Sequence, residues 1–332
     1  MRSAALSLSQ TLPEGTRYSV LLVSSMLNLA ELLALRRDFA DIPRKVLYMH
    51  ENQFEYPKQY EDKEERDYYF MHCSVCSCLV ADVIAWNSSF NLESFLKGLK
   101  KLNATLPVEG TCKPDLDVIS KQIRDKSVIV PMPVDLPALS PIVIEASSSS
   151  RPLRIGWPHR WEHDKNPEEF LRVLHRLVVE AKVDFTVILF GGESFEGCDA
   201  QEQLLKALEG QSHRIEGCKR IESRVEYLEK LRGCDVVVST AIHEFFGVAM
   251  VEAAKLGCKV LCPNRLAYPE LFREEALYPT EAKLYKALRY CCEKPEIVQR
   301  NKPHADLLPG VWDKLDFRSQ AKQGFDALLG LG

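Results

Sequence analysis

No stretch of this chain stays apolar for the roughly 20 residues that a membrane-spanning helix needs. Nor does a basic amphipathic stretch of the membrane-surface kind stand out. A membrane partner is therefore not expected. Neither sign of charge is in large excess, since 43 Lys and Arg against 47 Asp and Glu leave a formal net charge of −4. Bulk charge thus does not mark a nucleic-acid binder, although a local basic face can still hold phosphates. No short-period repeat is present, which argues against solenoids and arrays. The Cys73-x-x-Cys76 pair, with His72 and Cys78 beside it, has no second such pair after it. These residues continue an apolar helical face, so packing is expected of them and a metal site is not. Residues 1–11, with one Arg and scattered Ser, do not read as a secretory leader. Eleven cysteines without such a leader point to a reducing compartment, so the expected location is the cytoplasm, with the nucleus as a second.

What is present is an ordinary globular composition, 46% hydrophobic and 27% charged, over 332 residues, long enough for two domains. Short apolar runs alternate with helical patterns from residue 18 to residue 130, the rhythm of a parallel α/β sheet. Residues 1–14 are weakly patterned and read as irregular. Pro137, Pro141 and the run Ser147-Ser148-Ser149-Ser150 mark a linker over 137–151. The expected organisation is a domain over 1–136, that linker, a second domain over 152–303 and a terminal segment over 304–332. The last carries a helix expected at 314–329 that packs back on the first domain. In the second domain the βα rhythm restarts at Leu153, with helices expected at 167–181, 199–209, 224–232, 281–294 and 295–302.

The stretch 236–263 concentrates the polar chemistry. An apolar run, Val236 to Val238, leads into a turn with His243 and Glu244; Gly247 opens a helical pattern that carries Glu252, and Gly257 stops it. A helix that starts there points free N–H groups at whatever lies above the preceding strand, which favours phosphate or sugar oxygens. The two carboxylates are expected roughly 10 Å apart, a span that suits an elongated polar ligand. A second constellation, Trp157-Pro158-His159-Arg160-Trp161-Glu162-His163-Asp164-Lys165-Asn166-Pro167, joins a strand to a helix whose first turn carries Pro167. Arg160 and Lys165 bracket its turn, and an Arg fork with a Lys point charge makes a suitable diphosphate clamp. In the first half, His50 directly follows an apolar strand, where doubly wound sheets place ligand contacts.

These patterns resemble retaining glycosyltransferases of the GT-B type, with two Rossmann-like parallel-sheet domains facing a cleft. The resemblance implies that Glu244 and the amides of Phe245, Phe246 and Gly247 hold the donor hexose. It implies that Glu252 holds the nucleotide ribose, that Arg160 and Lys165 bind the diphosphate, and that His50 lies near the sugar and the acceptor. His243, just before Glu244, faces the same mouth and is expected either to touch the sugar or to shape the turn. The longer strings Tyr48-Met49-His50-Glu51-Asn52-Gln53 and His243-Glu244-Phe245-Phe246-Gly247-Val248-Ala249-Met250, with the Trp157–Lys165 string, are similar to the family of tRNA-queuosine α-mannosyltransferases. That likeness implies GDP-mannose as donor and a queuosine cyclopentene hydroxyl in the anticodon loop of tRNA-Asp as acceptor. It implies transfer with retention, no metal, no cofactor and no DNA partner. A basic face for tRNA is expected from Arg36, Arg37, Arg44, Lys45, Lys97, Lys100 and Lys101.

The chain departs from the family at its start. Members open with a strand and a Gly-rich loop, whereas this chain starts at Met1-Arg2-Ser3-Ala4. The N-terminal sheet is therefore expected to lack a central strand and to leave pairing edges uncovered. A weakly active or silent binder of sugar nucleotide or tRNA stays open as an alternative, as does a glycosyltransferase with another acceptor.

Overall fold

A computed structural model describes residues 3–55, 68–100, 113–134, 136, 151–190, 206, 214–217, 221–300 and 317–330. The chain divides into two compact units, one of Met1–Pro133 with Arg318–Gly332, the other of Val134–Phe317. Most of the expected linker, the helix expected at 199–209 apart from Lys206, Lys101 and residues 301–316 fall outside the described residues.

In the first unit the described elements are α1 (Ala4–Thr11), β1 (Val20–Ser24), α2 (Leu29–Leu35), β2 (Arg44–Met49), α3 (Tyr68–Val80), β3 (Val83–Trp86), α4 (Ser89–Leu99), α5 (Leu116–Asp125) and β4 (Ser127–Ile129). The strands pair in parallel in the order β1-β2-β3-β4. β1 is an edge, and Leu22 on it is 43% exposed. Leu47, Met49, Ile84 and Trp86 lie in one buried cluster with Phe95 and Leu99 of α4 and Val75 and Cys78 of α3. Because both faces of the sheet are covered, these strands read as continuous apolar runs rather than alternating ones.

The expectation that residues 1–14 are irregular is corrected by α1. Its Ala5 is buried against Leu32, Phe39 and Ile42. Leu6 and Leu8 of the same helix are exposed, so tertiary packing rather than periodicity makes it. Cys73 and Cys78 are buried in α3. The helix end is capped by Lys126, whose Nζ donates to the carbonyls of Cys78 (3.3 Å), Leu79 (2.7 Å) and Ala81 (2.8 Å). Asp115-Leu116-Asp117 has the Asp-x-Asp form of an acidic metal motif. Asp115 is the N-cap of α5, and its Oδ1 accepts from the amides of Asp117 and Val118 at 3.1 Å each. The string is a helix start.

The second unit holds β5 (Leu153–Trp157), α6 (Pro167–Arg176), β6 (Phe185–Leu189), β7 (Ile215–Gly217), α7 (Arg224–Arg232), β8 (Val236–Val238), α8 (Val248–Lys255), β9 (Lys259–Pro263), α9 (Tyr268–Leu271), β10 (Leu277–Tyr278), α10 (Glu281–Glu293) and α11 (Pro295–Arg300). The final helix, α12 (Phe317–Leu329), runs into the first unit. All strands of the second sheet are parallel, in the order β10-β9-β8-β5-β6-β7. Counted from its own first strand, this is the doubly wound order 3-2-1-4-5-6, which reverses direction between β5 and β8. The sequence reading assigned no strand order.

The helices start where local chemistry allows. α6 opens on Pro167, with Asn166 as cap in the left-handed region (φ 50°), Glu168 and Glu169 in its first turn and His175 and Arg176 in its last. The expected α-helix to residue 181 ends sooner, because Leu177–Ala181 winds into a wider π turn stopped by Lys182 at φ 52°.

Candidate donor-binding site

In an open doubly wound sheet the binding crevice lies beyond the carboxyl ends of the two strands where the order reverses. Here those strands are β5 and β8. The loops that follow them are 158–166 and 239–247, the two stretches with the unusual polar content.

Several bonds join the loops. Trp157 Nε1 donates to Thr240 Oγ1 (3.1 Å), whose hydroxyl donates to the Lys165 carbonyl (2.8 Å). The amides of Ile242 (2.9 Å) and His243 (3.2 Å) donate to the Asp164 carbonyl. Lys165 Nζ reaches across to the His243 carbonyl (3.1 Å) and Glu244 Oε2 (3.2 Å), and lies 3.1 Å from Asp164 Oδ2. Three acceptors match the three protons of an ammonium group. The Lys165 side chain is only 13% exposed. Burial opposes its charge, yet Glu244 and Asp164 outweigh that and raise its pKa above the ordinary lysine value. For Glu244 burial favours the neutral form, but Lys165, His159 and the hydrogen bonds prevail and hold the carboxyl below its usual range. The site therefore contains an ionised Lys–Glu pair already withdrawn from much of the solvent.

Glu244 also caps its own turn. Its Oε1 accepts from the amides of Phe245 (3.1 Å) and Phe246 (3.3 Å). In this structure the acceptor of these two amides is the Glu244 carboxylate, and both phenyl rings are buried. Gly247, the cap of α8, takes φ 87°. A Cβ there would lie 2.6 Å from Cε1 of Tyr268. Tyr268 is in turn fixed by a 2.7 Å hydrogen bond between its hydroxyl and Ser239 Oγ. Only glycine meets both constraints.

The remaining residues divide. Arg160 pairs with Glu162 at 3.0 Å and its side chain is 70% exposed, whereas Lys165 is the cation engaged across the loop junction. The loop supplies buried acceptors only on the Lys165 side, and an exposed ion pair such as Arg160–Glu162 holds its partners weakly. His243 is buried, and it contributes its carbonyl and amide to the loop junction. Burial, then Lys165, push its imidazole pKa down to about 4. Glu252 is buried inside α8 and bonded to Arg224 Nη2, a partner the sequence reading missed. Also missed were Asp164, Thr240 and His159. The first stands next to Lys165 in sequence and the second lies two residues past an apolar strand, which are usable signals.

In the first unit His50 follows β2. Its Nδ1 lies 3.0 Å from Ser25 Oγ, and its carbonyl accepts from Asn87 Nδ2 at 2.8 Å. Asn52, Asn91 and Ser94 form a buried hydrogen-bonded group close in sequence to these residues. Of the residues expected to form a basic face, Arg37, Lys97 and Lys100 are exposed and Arg36 is buried. Arg36 is buried on Asp38 and the carbonyls of Leu12 and Pro13. Arg44 donates to the carbonyls of Leu328 and Ala327, Lys45 holds Asp82, and Lys100 lies 3.7 Å from Asp117. Among the described residues no group of three or more His, Cys, Asp or Glu is arranged to hold a metal ion, and no helix is long and apolar enough to cross a membrane.

Two parallel α/β units, the second with its charged cluster at the strand-order reversal, match the architecture of the GT-B fold. Residues 146–300 match the family described as glycosyl transferases group 1. Solved structures agree on the fold. HepE from Anabaena in complex with UDP and glucose superposes with a TM-score of 0.63 at 16% identity, over 98% of this chain and 80% of that one. A structure described as trehalose-6-phosphate from E. coli bound with UDP-2-fluoro glucose gives 0.65 at 13% identity, over 99% and 77%. Sucrose-phosphate synthase from Thermosynechococcus elongatus gives 0.65 at 15%, over 98% and 79%.

The sequence carries the assignment further. Residues 1–134 match the family described as tRNA-queuosine alpha-mannosyltransferase N-terminal. The tRNA-queuosine alpha-mannosyltransferase of Drosophila melanogaster is 37% identical over 311 residues, 91% of this chain and 78% of that protein. The chain belongs to the tRNA-queuosine alpha-mannosyltransferase family.

Proposed function

We propose that this chain transfers mannose from GDP-mannose, with retention of configuration, to a queuosine hydroxyl in the anticodon loop of tRNA-Asp. The observation that carries the chemical part is the Lys165–Glu244 pair at the carboxyl ends of β5 and β8. The name of the Drosophila relative supports the acceptor and the sugar.

Lys165 and Glu244 have already met most of the cost of leaving water, so their charges need little reorganisation when a donor arrives. A diphosphate oxygen replaces one of the three acceptors on Lys165, which then neutralises charge growing on the departing phosphate. Glu244, sharing the same proton donor, turns its Oε2 to a sugar hydroxyl. Arg160, exposed and weakly paired, swings to the outer phosphate oxygens. Phe245, Phe246 and Gly247 offer their amides once Glu244 Oε1 gives them up, His243 shapes the turn beneath them, and Glu252 takes the ribose. His50 serves the sugar and the acceptor hydroxyl. Attack on the face of departure passes the acceptor proton to the leaving phosphate, so no carboxylate nucleophile is required.

The test is a transfer assay with labelled GDP-mannose and queuosine-containing tRNA, alongside calorimetry with GDP. Lys165→Ala and Glu244→Gln should each lower transfer by at least about 100-fold, the usual consequence of losing a transition-state charge contact. Near-normal rates in either variant would sink the site assignment. Binding of GDP by the wild-type chain without turnover would select the binding-only reading instead.

A further inference from the structure

Three asparagines are buried where β2 and β3 of the first unit end: Asn52 is 1% exposed, Asn87 3% and Asn91 0%. Burying an amide costs free energy unless its hydrogen bonds are met, and here they are met largely by one loop. Asn91 Nδ2 donates to the Met49 carbonyl (3.0 Å) and to Asn87 Oδ1 (2.9 Å), and Asn87 Nδ2 donates to the His50 carbonyl (2.8 Å). Asn52 Nδ2 donates to Asn91 Oδ1 (2.7 Å), while its own Oδ1 accepts from the amides of Phe54 (3.1 Å) and Glu55 (3.3 Å). The web therefore holds the backbone of the loop after β2 at both ends. A satisfied buried network of this kind rigidifies what it touches.

His50 is the first side chain of that loop, and it is half-buried. Its Nδ1 lies 3.0 Å from Ser25 Oγ. Ser25 directly follows β1, and its amide donates to the Tyr48 carbonyl at 2.9 Å, which extends the β1–β2 ladder past the strand end. Both partners of the Ser25–His50 bond are thus fixed through their backbones. Among the described residues no hydrogen bond engages His50 Nε2. A neutral imidazole has a single proton to place, so the bond at Nδ1 decides whether Nε2 donates or accepts. Ser25 and His50 stand beyond the carboxyl ends of neighbouring parallel strands, where open sheets of this kind meet their ligands.

We propose that Ser25 is a positioning residue for the transfer reaction: its bond to Nδ1 holds the His50 imidazole in one orientation and one tautomer, so that Nε2 is presented to a hydroxyl of the acceptor. This rests on the reading of His50 given above. Ser25 itself touches no substrate and acts through His50.

The test uses the full chain as wild type, Ser25→Ala, Ser25→Thr, His50→Gln and the double variant Ser25→Ala/His50→Gln. The threonine variant keeps the hydroxyl, and a small cavity beside Ser25, lined in part by Leu27, Asn28, Phe70 and Ser74, has room for the added methyl. Nitrogen NMR at a pH where the ring is neutral reads the tautomer of His50, whose signal is the one missing from His50→Gln. The expected result is one tautomer in the wild type and in Ser25→Thr, and a mixture of both in Ser25→Ala. In the transfer assay Ser25→Ala should lower kcat/KM by about 3- to 10-fold, the usual effect of one neutral hydrogen bond, with the KM for GDP-mannose unchanged. Ser25→Thr should restore most of the rate, and the double variant should fall no further than His50→Gln alone, because coupled residues are not additive. The same tautomer balance in the wild type and Ser25→Ala overturns the proposal. So does normal transfer by Ser25→Ala beside an impaired His50→Gln, or a double variant well below His50→Gln. Near-normal transfer by His50→Gln overturns the reading of His50, and this proposal with it. The tautomer balance is read without turnover, so a wild type that transfers nothing still supports or overturns the positioning by that measurement.

Discussion

His159 shows how a single residue ties the site to stability. It is buried, its ring packs edge-on to Trp157 at 5.2 Å, and its Nε2 has no hydrogen-bond partner among the described residues. Burial first, then the Lys165 charge, push its pKa down to about 4, against the smaller pull of Glu244 and Asp164. His243 is displaced to about 4 for the same reasons. An imidazole that stays neutral when folded but protonates near 6.5 when unfolded costs stability as pH falls. The loss begins near 6.5 and is complete below about 4, at about 3 kcal/mol for each ring. The depressed Glu244 carboxyl acts in the same direction at lower pH, because its contribution is lost as pH falls through its folded pKa. Urea midpoints should therefore drop steadily from pH 7 to pH 4, and His159→Phe should flatten that slope. An unchanged slope would show that the buried ring takes no part. At this scale Lys165 and Glu244 were legible because each sits in a recognisable string beside a strand end. Which cation is engaged across the loop junction was not legible, because two of the three acceptors on Lys165 come from the other loop. The partner of Glu252 was invisible, since Arg224 stands 28 positions upstream and only the packing of α7 on α8 brings them together.

Elements were legible where pattern and caps agree. Val236–Val238 and Arg224–Arg232 stand as read, the first as an apolar run buried on both faces. Helix starts were harder. α2 begins at Leu29 because Asn28 Oδ1 accepts from the Glu31 amide at 3.1 Å and acts as its cap. α1 escaped notice because it buries one small residue, Ala5, and turns Leu6 and Leu8 outward. The start of α8 is set by Gly247, where a side chain would meet two penalties, the positive φ and the Tyr268 ring. Gly15 separates them, as it has φ 74° with nothing within 4 Å of a built Cβ. Gly15→Ala should lose only the backbone part, about 1 kcal/mol. Gly247→Ala should lose more, up to about 3 kcal/mol, and weaken GDP binding as Glu244 shifts. Equal losses in urea titrations of the two variants would show that Tyr268 yields without cost.

At the scale of the molecule the repeated βα rhythm made two parallel sheets legible, because continuous apolar runs require helices on both faces. Strand order was not legible, since no local pattern records which strands become neighbours across a crossover. The order nonetheless decides where the site is, by setting the reversal between β5 and β8. The first unit is built from two separate stretches of chain, and its second stretch matters to its core. Phe325 of α12 stacks on Tyr48 with centroids 5.6 Å apart and planes at 28°. Leu328 is buried with Val46, Ala85 and Val130, and Arg44 bonds the carbonyls of Leu328 and Ala327 near the helix end. Gly324 passes so close to Val130 that a Cβ would lie 3.0 Å from its Cγ1. Removing residues 318–332 would uncover this face of β2 and β3. Burying a leucine or phenylalanine side chain is worth about 1.5–3 kcal/mol, so losing Phe325 and Leu328 should cost about 3–6 kcal/mol, a large share of a typical domain's stability. Hydrogen exchange on the truncated chain should then show lost protection in β1–β4 and retained protection in β5–β10. Undiminished protection in β2 and β3 would mean that the sheet is stable without its C-terminal helix and that the Tyr48–Phe325 contact contributes little.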